Sequence, residues 1–95
     1  MTTTWIDAGW TTVPNAALRD PALSIKAKGL YALMCSLDDS LDVGIQRLAA
    51  LSADGESRTK AAVRELEDRG YLTRQVQRGS GGRITGMQYQ LTHPD

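Results

Sequence analysis

The strongest constraint on this chain is residues 55–72, GESRTKAAVRELEDRGYL. Thr59, Ala62, Val63 and Leu66 recur at the i, i+3, i+4, i+7 spacing of a single buried stripe on an α-helix. Arg58, Lys60, Ala61, Arg64 and Glu65 fall outside that stripe and are expected to point away from it. Gly70 ends the run, because glycine alone enters the left-handed C-terminal cap without steric cost. The pattern predicts a helix over 56–69 with one apolar face and one largely cationic face.

The neighbouring segments read as supports for that helix. Residues 44–51, GIQRLAAL, predict a shorter helix with Ile45, Leu48 and Ala49 facing inward. Ser52, Ala53, Asp54 and Gly55 make the turn between the two, with Asp54 or Gly55 supplying the cap and the unusual backbone angle. The backbone N–H of Gly55, at a helix N-terminus, suits a phosphate. After Gly70, residues 71–77 alternate with Leu72 and Val76 as the apolar members. Residues 84–91 alternate with Met87, Tyr89 and Leu91 on one side. A glycine-rich loop, 78–83, joins them, so the pair reads as a β-hairpin with a mobile tip and a bulge at Gly86.

Earlier in the chain, Pro14 and Asn15 predict a turn into a short helix over 15–19 capped by Asn15, which Asp20-Pro21 breaks. Ser24 caps the next helix, LSIKAKGLYALMCSL, whose apolar positions are Ile25, Leu30, Leu33, Met34 and Leu37. Gly29 inside it costs roughly 1 kcal/mol against alanine, which suggests close approach of another backbone. Lys26 and Lys28 read as a solvated face. Residues 1–12 predict an arm or strand, with Trp5 and Trp10 either packed across the first helix or held in a dimer contact. Asp38-Asp39-Ser40 predicts a turn, and Leu41-Asp42-Val43 a short strand.

Charge and cysteine usage narrow the function classes. The chain has 95 residues, the size of one small domain, and a formal net charge of zero. Its charge is unevenly spread, with residues 1–43 net negative and residues 44–95 net positive. Four arginines and no acid lie between Arg69 and Gln90. That local excess suits nucleic acid on a neutral protein, with a weak sequence-independent component. Cys35 is the only cysteine, which excludes an internal disulfide and reads as a buried inert thiol. No apolar run reaches bilayer length and no secretory signal pattern opens the chain, so a cytoplasmic protein is the expectation. One histidine, His93, and no ligand spacing leave the acidic turn without a metal or a catalytic partner. No nucleophile–base pair is legible, so no enzyme, cofactor or small-molecule ligand is expected. The Gly-Ser-Gly-Gly run lacks the Lys-Ser/Thr of a phosphate loop.

Taken in order, these features resemble a known family. They are Val13-Pro14-Asn15 with Leu18-Arg19-Asp20, the run 23–30, Leu48-Ala49, Asp54-Gly55, Arg64-Glu65-Leu66-Glu67, Gly70-Tyr71-Leu72 and Gly86-Met87-Gln88-Tyr89. From Thr12 to Leu91 the chain is similar to winged helix-turn-helix domains of phage and plasmid replication-initiation proteins and of small DNA-binding regulators of Gram-positive bacteria. The resemblance implies an α+β fold of three main helices and a C-terminal β-hairpin wing, with the helix-turn-helix over 44–69 and the wing over 71–91. It implies double-stranded DNA as the partner, in transcription regulation or replication initiation for a mobile element. Replication members carry the domain at the head of a longer protein, which shifts the expectation toward a stand-alone regulator.

The candidate interface follows from the helix face and the hairpin. Ser57, Arg58, Lys60, Ala61 and Arg64 are the major-groove candidates, with Arg58 able to read guanine bidentately. Arg74, Arg78 and Arg83 are the backbone or minor-groove candidates. One such domain covers about half a turn of DNA, so a homodimer or repeated sites are expected. The rival expectation is a protein–protein interaction module on the same scaffold. Zero net charge, Glu65 and Asp68 on the second helix, and the tryptophans favour it.

Overall fold

A computed structural model of the chain describes residues 9–37 and 44–92. Among them are four α-helices and a two-stranded antiparallel sheet, an α+β arrangement. The helices are α1 (Asn15–Leu18), α2 (Ile25–Cys35), α3 (Ile45–Ala50) and α4 (Gly55–Asp68). The strands are β1 (Leu72–Arg78) and β2 (Ile84–Leu91). Trp5, the Asp38-Asp39-Ser40 turn, the 41–43 strand and His93 lie outside the described residues.

The core forms where α2, α3 and α4 meet the base of the hairpin. From α4 it takes Ala62, Val63 and Leu66, with Thr59 buried beside them, so the expected stripe is the observed one. Thr59 is the polar member, and its hydroxyl donates to the Gly55 carbonyl at 2.7 Å. From α3 the core takes Leu48, with Ile45 partly buried against it, and Ala49 is buried too.

The stripe of α2 differs from expectation. Ala27, Leu30, Tyr31 and Met34 are buried, while Ile25 is 82% exposed. Leu30 and Met34 fix the direction of the face, and helical spacing then brings in Ala27 and Tyr31 and leaves Ile25 on the far side. Tyr31 meets Tyr71 edge-on, with ring centroids 5.8 Å apart at 75°. Its hydroxyl donates to the Thr92 carbonyl at 3.3 Å, tying α2 to the end of β2. Cys35 and Leu33 are partly buried against this core.

Ser24 caps α2 as expected, its Oγ accepting from the Ala27 N–H at 3.1 Å. The cap of α1 is different: Pro14 holds the N-cap position and Asn15 is the first helical residue, with no side-chain cap bond. Proline supplies the extended entry angle there, so the asparagine is not needed for it.

Helix α4 is bounded by two glycines in the left-handed region. Gly55 opens it at φ +80°, and Asp54 before it makes no side-chain cap bond. Gly70 closes it at φ +82°. The Gly70 N–H donates to the Glu67 carbonyl at 3.1 Å and the Tyr71 N–H to the Leu66 carbonyl at 2.9 Å, the paired bonds of a Schellman motif. That stop sends the chain directly into β1.

The hairpin pairs Leu72 with Leu91 through Gln77 with Gly86, and then Arg78 with Ile84. Thr85 is therefore the extra residue, so the bulge falls one position before the expected Gly86. Leu72 is buried, but Val76, about 13 Å further along the strand, is 42% exposed because the hairpin outruns the helices that cover its base. The tip is a defined turn. Residues Ser80–Gly82 form a short 3-10 turn, and the Gly79 N–H donates to the Arg83 carbonyl at 2.8 Å. Thr92 returns the chain to the base: its N–H donates to the Tyr71 carbonyl at 3.0 Å and its hydroxyl to the Gly70 carbonyl.

Gly29 has no backbone against it, since a Cβ there would meet nothing within 4 Å. The expected close approach is not the reason for that glycine. Replacing it removes the entropic cost of glycine in a helix without a clash. Gly29→Ala is expected to stabilise the fold by about 0.5–1 kcal/mol. Gly70→Ala is expected to destabilise it by about 1–2 kcal/mol, the penalty of a left-handed alanine. Chemical denaturation of both variants checks this, and shifts of the same sign would contradict it.

Candidate nucleic-acid interface

Two carboxylate clusters fix α4 against the rest of the molecule. In the first, Glu65 spans 41 positions of sequence to reach the start of α2. Its Oε1 accepts the Ser24 N–H and its Oε2 accepts the Ser24 hydroxyl, both at 2.8 Å. A capping box ordinarily takes its carboxylate from the third residue of the same helix. Here that position is Ala27, and the carboxylate comes from α4 instead. The sequence reading pointed Glu65 outward with the cations. Helical spacing puts it on the α4 flank facing α2, where Ser24 supplies two donors. These bonds hold the Glu65 carboxyl below its ordinary range, with the Ser24 N–H the larger cause, the hydroxyl next and the field of Lys26 adding to both.

The second cluster is centred on Asp20, 7% exposed. Its Oδ1 accepts the Ala22 N–H at 2.8 Å, closing a local turn around Pro21. Its Oδ2 accepts the Tyr71 hydroxyl at 2.8 Å and the Arg69 Nε–H at 3.2 Å. The Ala22 N–H, then the Tyr71 hydroxyl and Arg69, hold the Asp20 carboxyl below its usual value against the opposing effect of burial. The same contact keeps Tyr71 protonated: the hydrogen bond to Asp20 first, then burial, push its hydroxyl upward. Asp20 reads in the sequence only as a helix breaker. An aspartate before proline is the signal that could have marked the turn, but nothing local announces partners about fifty residues away.

With its inner stripe buried and Glu65 turned to α2, α4 presents an open outer face. Ser57, Arg58, Lys60, Ala61 and Arg64 are all exposed on it, as the sequence led us to expect. Among the described residues, Arg58, Lys60 and Arg64 make no ion pair. Ser57, Ala61, Arg64 and Asp68 form the outermost row by helical spacing, with the acid at its C-terminal end. Arg58 stands on the flank toward α2, where it lines a groove with Lys26 and Gly29. Lys60 stands on the other flank, the side on which Glu67 meets the hairpin. Exposed Glu56 and Asp68 are the acids left on the helix.

The hairpin arginines divide into two kinds. Arg74 is bound to Glu67 through two parallel bonds, Nε to Oε2 at 3.2 Å and Nη2 to Oε1 at 3.1 Å. Its guanidinium also lies 6.0 Å from the Tyr89 ring centroid. Arg74 therefore fastens β1 to α4 and offers little free charge to a partner. Arg78 donates from Nη1 to the Gly82 carbonyl at 3.0 Å and so shapes the hairpin tip. Arg83 is exposed at that tip. Trp10, at 67% exposure, does not pack across the first helix.

The fold and this surface define a small α+β protein in which one helix is clamped along its inner side and offers cations on its outer side. No protein family, curated protein or solved structure matches the chain. No helix among the described residues is long and apolar enough to cross a membrane.

The two clusters set an acid limb for stability. Asp20 and Glu65 are held below their ordinary values of 3.8 and 4.5. The unfolded chain therefore takes up protons before the folded one does, so stability is fully present above those ordinary values and is lost as pH falls through the depressed ones. Asp20→Asn is expected to lower stability at pH 7 and to make its decline toward pH 3 shallower than in the parent. Denaturant midpoints across that range check this, and parallel acid limbs in parent and variant would contradict it.

Proposed function

We propose that this protein binds double-stranded DNA as a winged helix-turn-helix domain, in a transcription regulator or a replication-initiation factor. Helices α3 and α4 with the turn at 51–54 supply the helix-turn-helix, and the β1–β2 hairpin supplies the wing. The observation that carries the reading is the outer face of α4. Arg58, Lys60 and Arg64 stand exposed there and make no ion pair among the described residues, while Glu65 and Glu67 are turned aside to Ser24 and Arg74. A solvated ion-pair face would leave those carboxylates among the cations.

A helix with exposed side chains of this kind fits the major groove. Ser57, Arg58 and Ala61, near the N-terminal half of α4, suit base edges, and Arg64 and Lys60 suit flanking phosphates. Arg83 at the hairpin tip reaches backbone or minor groove. Arg74 acts by fixing the wing to α4. One such domain covers about half a turn of DNA, so two copies, as a dimer or on repeated sites, give useful specificity.

A second reading is a protein–protein interaction module. Exposed Trp10 and Ile25 favour it, because large apolar side chains in water suit interface cores.

Fluorescence anisotropy with duplex fragments of genomic DNA distinguishes the two. The DNA reading expects binding at about 50 mM salt with a log–log salt slope of about −3 to −4, matching the few free cations. Replacing Arg58, Lys60 and Arg64 together by alanine is expected to weaken binding about 100-fold or more and to flatten the slope to about −1. Undiminished binding by that folded variant would overturn the α4 interface. No binding by the parent at low salt would favour the second reading.

A further inference from the structure

A groove of about 190 Å³ lies between α2, α3 and the first turns of α4. It is separate from the outermost row of α4 and shares only Arg58 with the proposed DNA-facing cations. Its floor is apolar, made by Leu30, Leu33, Leu48 and Ala62. Its rim is lined by Lys26, Arg58, Ser52 and Asp54, two cations against one acid, and neither cation is in an ion pair among the described residues. Lys26 lies in the field of Glu65, but both oxygens of that carboxylate are bonded to Ser24. A carboxylate oxygen bonded once can accept again, but Lys26 makes no ion pair with Glu65 among the described residues, which leaves its ammonium open to another acceptor.

Gly29 borders the groove, and a Cβ there would enter open space. No backbone angle and no close packing accounts for glycine at that point of α2. The border of the groove is open at that point.

From this juxtaposition we infer that the groove binds a small monocarboxylate with an aromatic or branched apolar body. The volume sets the size: a protein cavity of about 150 Å³ lined by apolar side chains accommodates benzene. The floor takes the apolar body, and the rim cations take the carboxylate. Arg58 is suited to this because its planar fork matches a carboxylate bidentately. The inference concerns ligand binding by the free protein and stands without the DNA reading. If both hold, the ligand withdraws Arg58 from the DNA-facing set and weakens DNA binding.

Benzoate is the probe, followed by backbone amide shifts in two-dimensional NMR on the whole chain. Saturable shifts centred on Lys26, Gly29, Leu33, Arg58 and Ala62 are expected, with a Kd of about 1 mM or tighter. Benzyl alcohol, which keeps the ring and lacks the charge, is expected to bind about tenfold more weakly. Gly29→Leu is expected to abolish the benzoate shifts while leaving thermal stability equal or higher, since leucine suits a helix and fills the groove. Unsaturated or scattered shifts would overturn the inference. So would benzoate binding by a folded Gly29→Leu variant, or equal binding of the alcohol. Because these measurements contain no DNA, failure here leaves the DNA reading standing, and failure of DNA binding leaves this one standing.

Discussion

The contact on which the rest of the arrangement depends is the one between Ser24 and Glu65. One serine caps α2 through its Oγ and gives both its own protons, from N–H and hydroxyl, to a carboxylate on α4. The start of one helix and the flank of another are thereby fixed at the same point. Burial of Ala62, Val63 and Leu66 supplies the non-directional attraction between the helices, and the serine–glutamate bonds choose the rotation. The Asp20 cluster repeats the logic at the C-terminal end of α4, where Arg69 and Tyr71 leave the helix through the left-handed turn at Gly70. Held on its inner side at two levels, α4 has only one direction left for its cations.

That arrangement bears on how a chain of zero net charge could meet the polyanionic partner proposed for it. Charge averaged over the molecule matters less than which acids stand beside which bases. Glu65 and Glu67 sit on the same helix as Arg58, Lys60 and Arg64, yet each has a partner elsewhere. Positive charge on the N-terminal part of that face is thus enriched by turning two of the helix's four acids aside, while Glu56 and Asp68 stay exposed. The arrangement has a cost on the hairpin, where Arg74 serves as the fastener for Glu67 and Arg78 shapes the turn at Gly82. Few cations remain to meet phosphates, so the proposed interface relies on the outer face of α4 for both grip and selectivity.

Much of the fold was legible because it follows from local rules. The four-residue stripe of α4, its stop at Gly70, the cap at Ser24 and the two alternating runs are set by helix period, strand period and backbone sterics. The failures lie where a distant partner decides. Ile25 outranks Tyr31 in hydrophobicity, but Tyr31 has Tyr71 and the Thr92 carbonyl to meet, so the tyrosine is buried and the isoleucine is not. Glu65 was read with the cations because helix spacing alone does not reveal a serine 41 positions away. The glycines of the hairpin tip announce a loop but not its shape, and Gly81 and Gly82 use their positive φ to make a tight turn. Of the candidate interface, the exposure of the α4 residues was legible and the engagement of Arg74 with Glu67 was not, since it needs the α4-to-β1 geometry.

In the proposed binding mode the outer row of α4 enters a nucleic-acid groove while its clamped flank stays against the protein. Amide shift mapping of the labelled chain with a short duplex tests it most directly. The largest changes are expected to run through Ser57, Ala61 and Arg64 with a second set at the hairpin tip, while Ser24, Asp20 and Tyr71 stay nearly still. Changes centred on Trp10, Leu18 and Ile25, with the outer row of α4 unmoved, would contradict it.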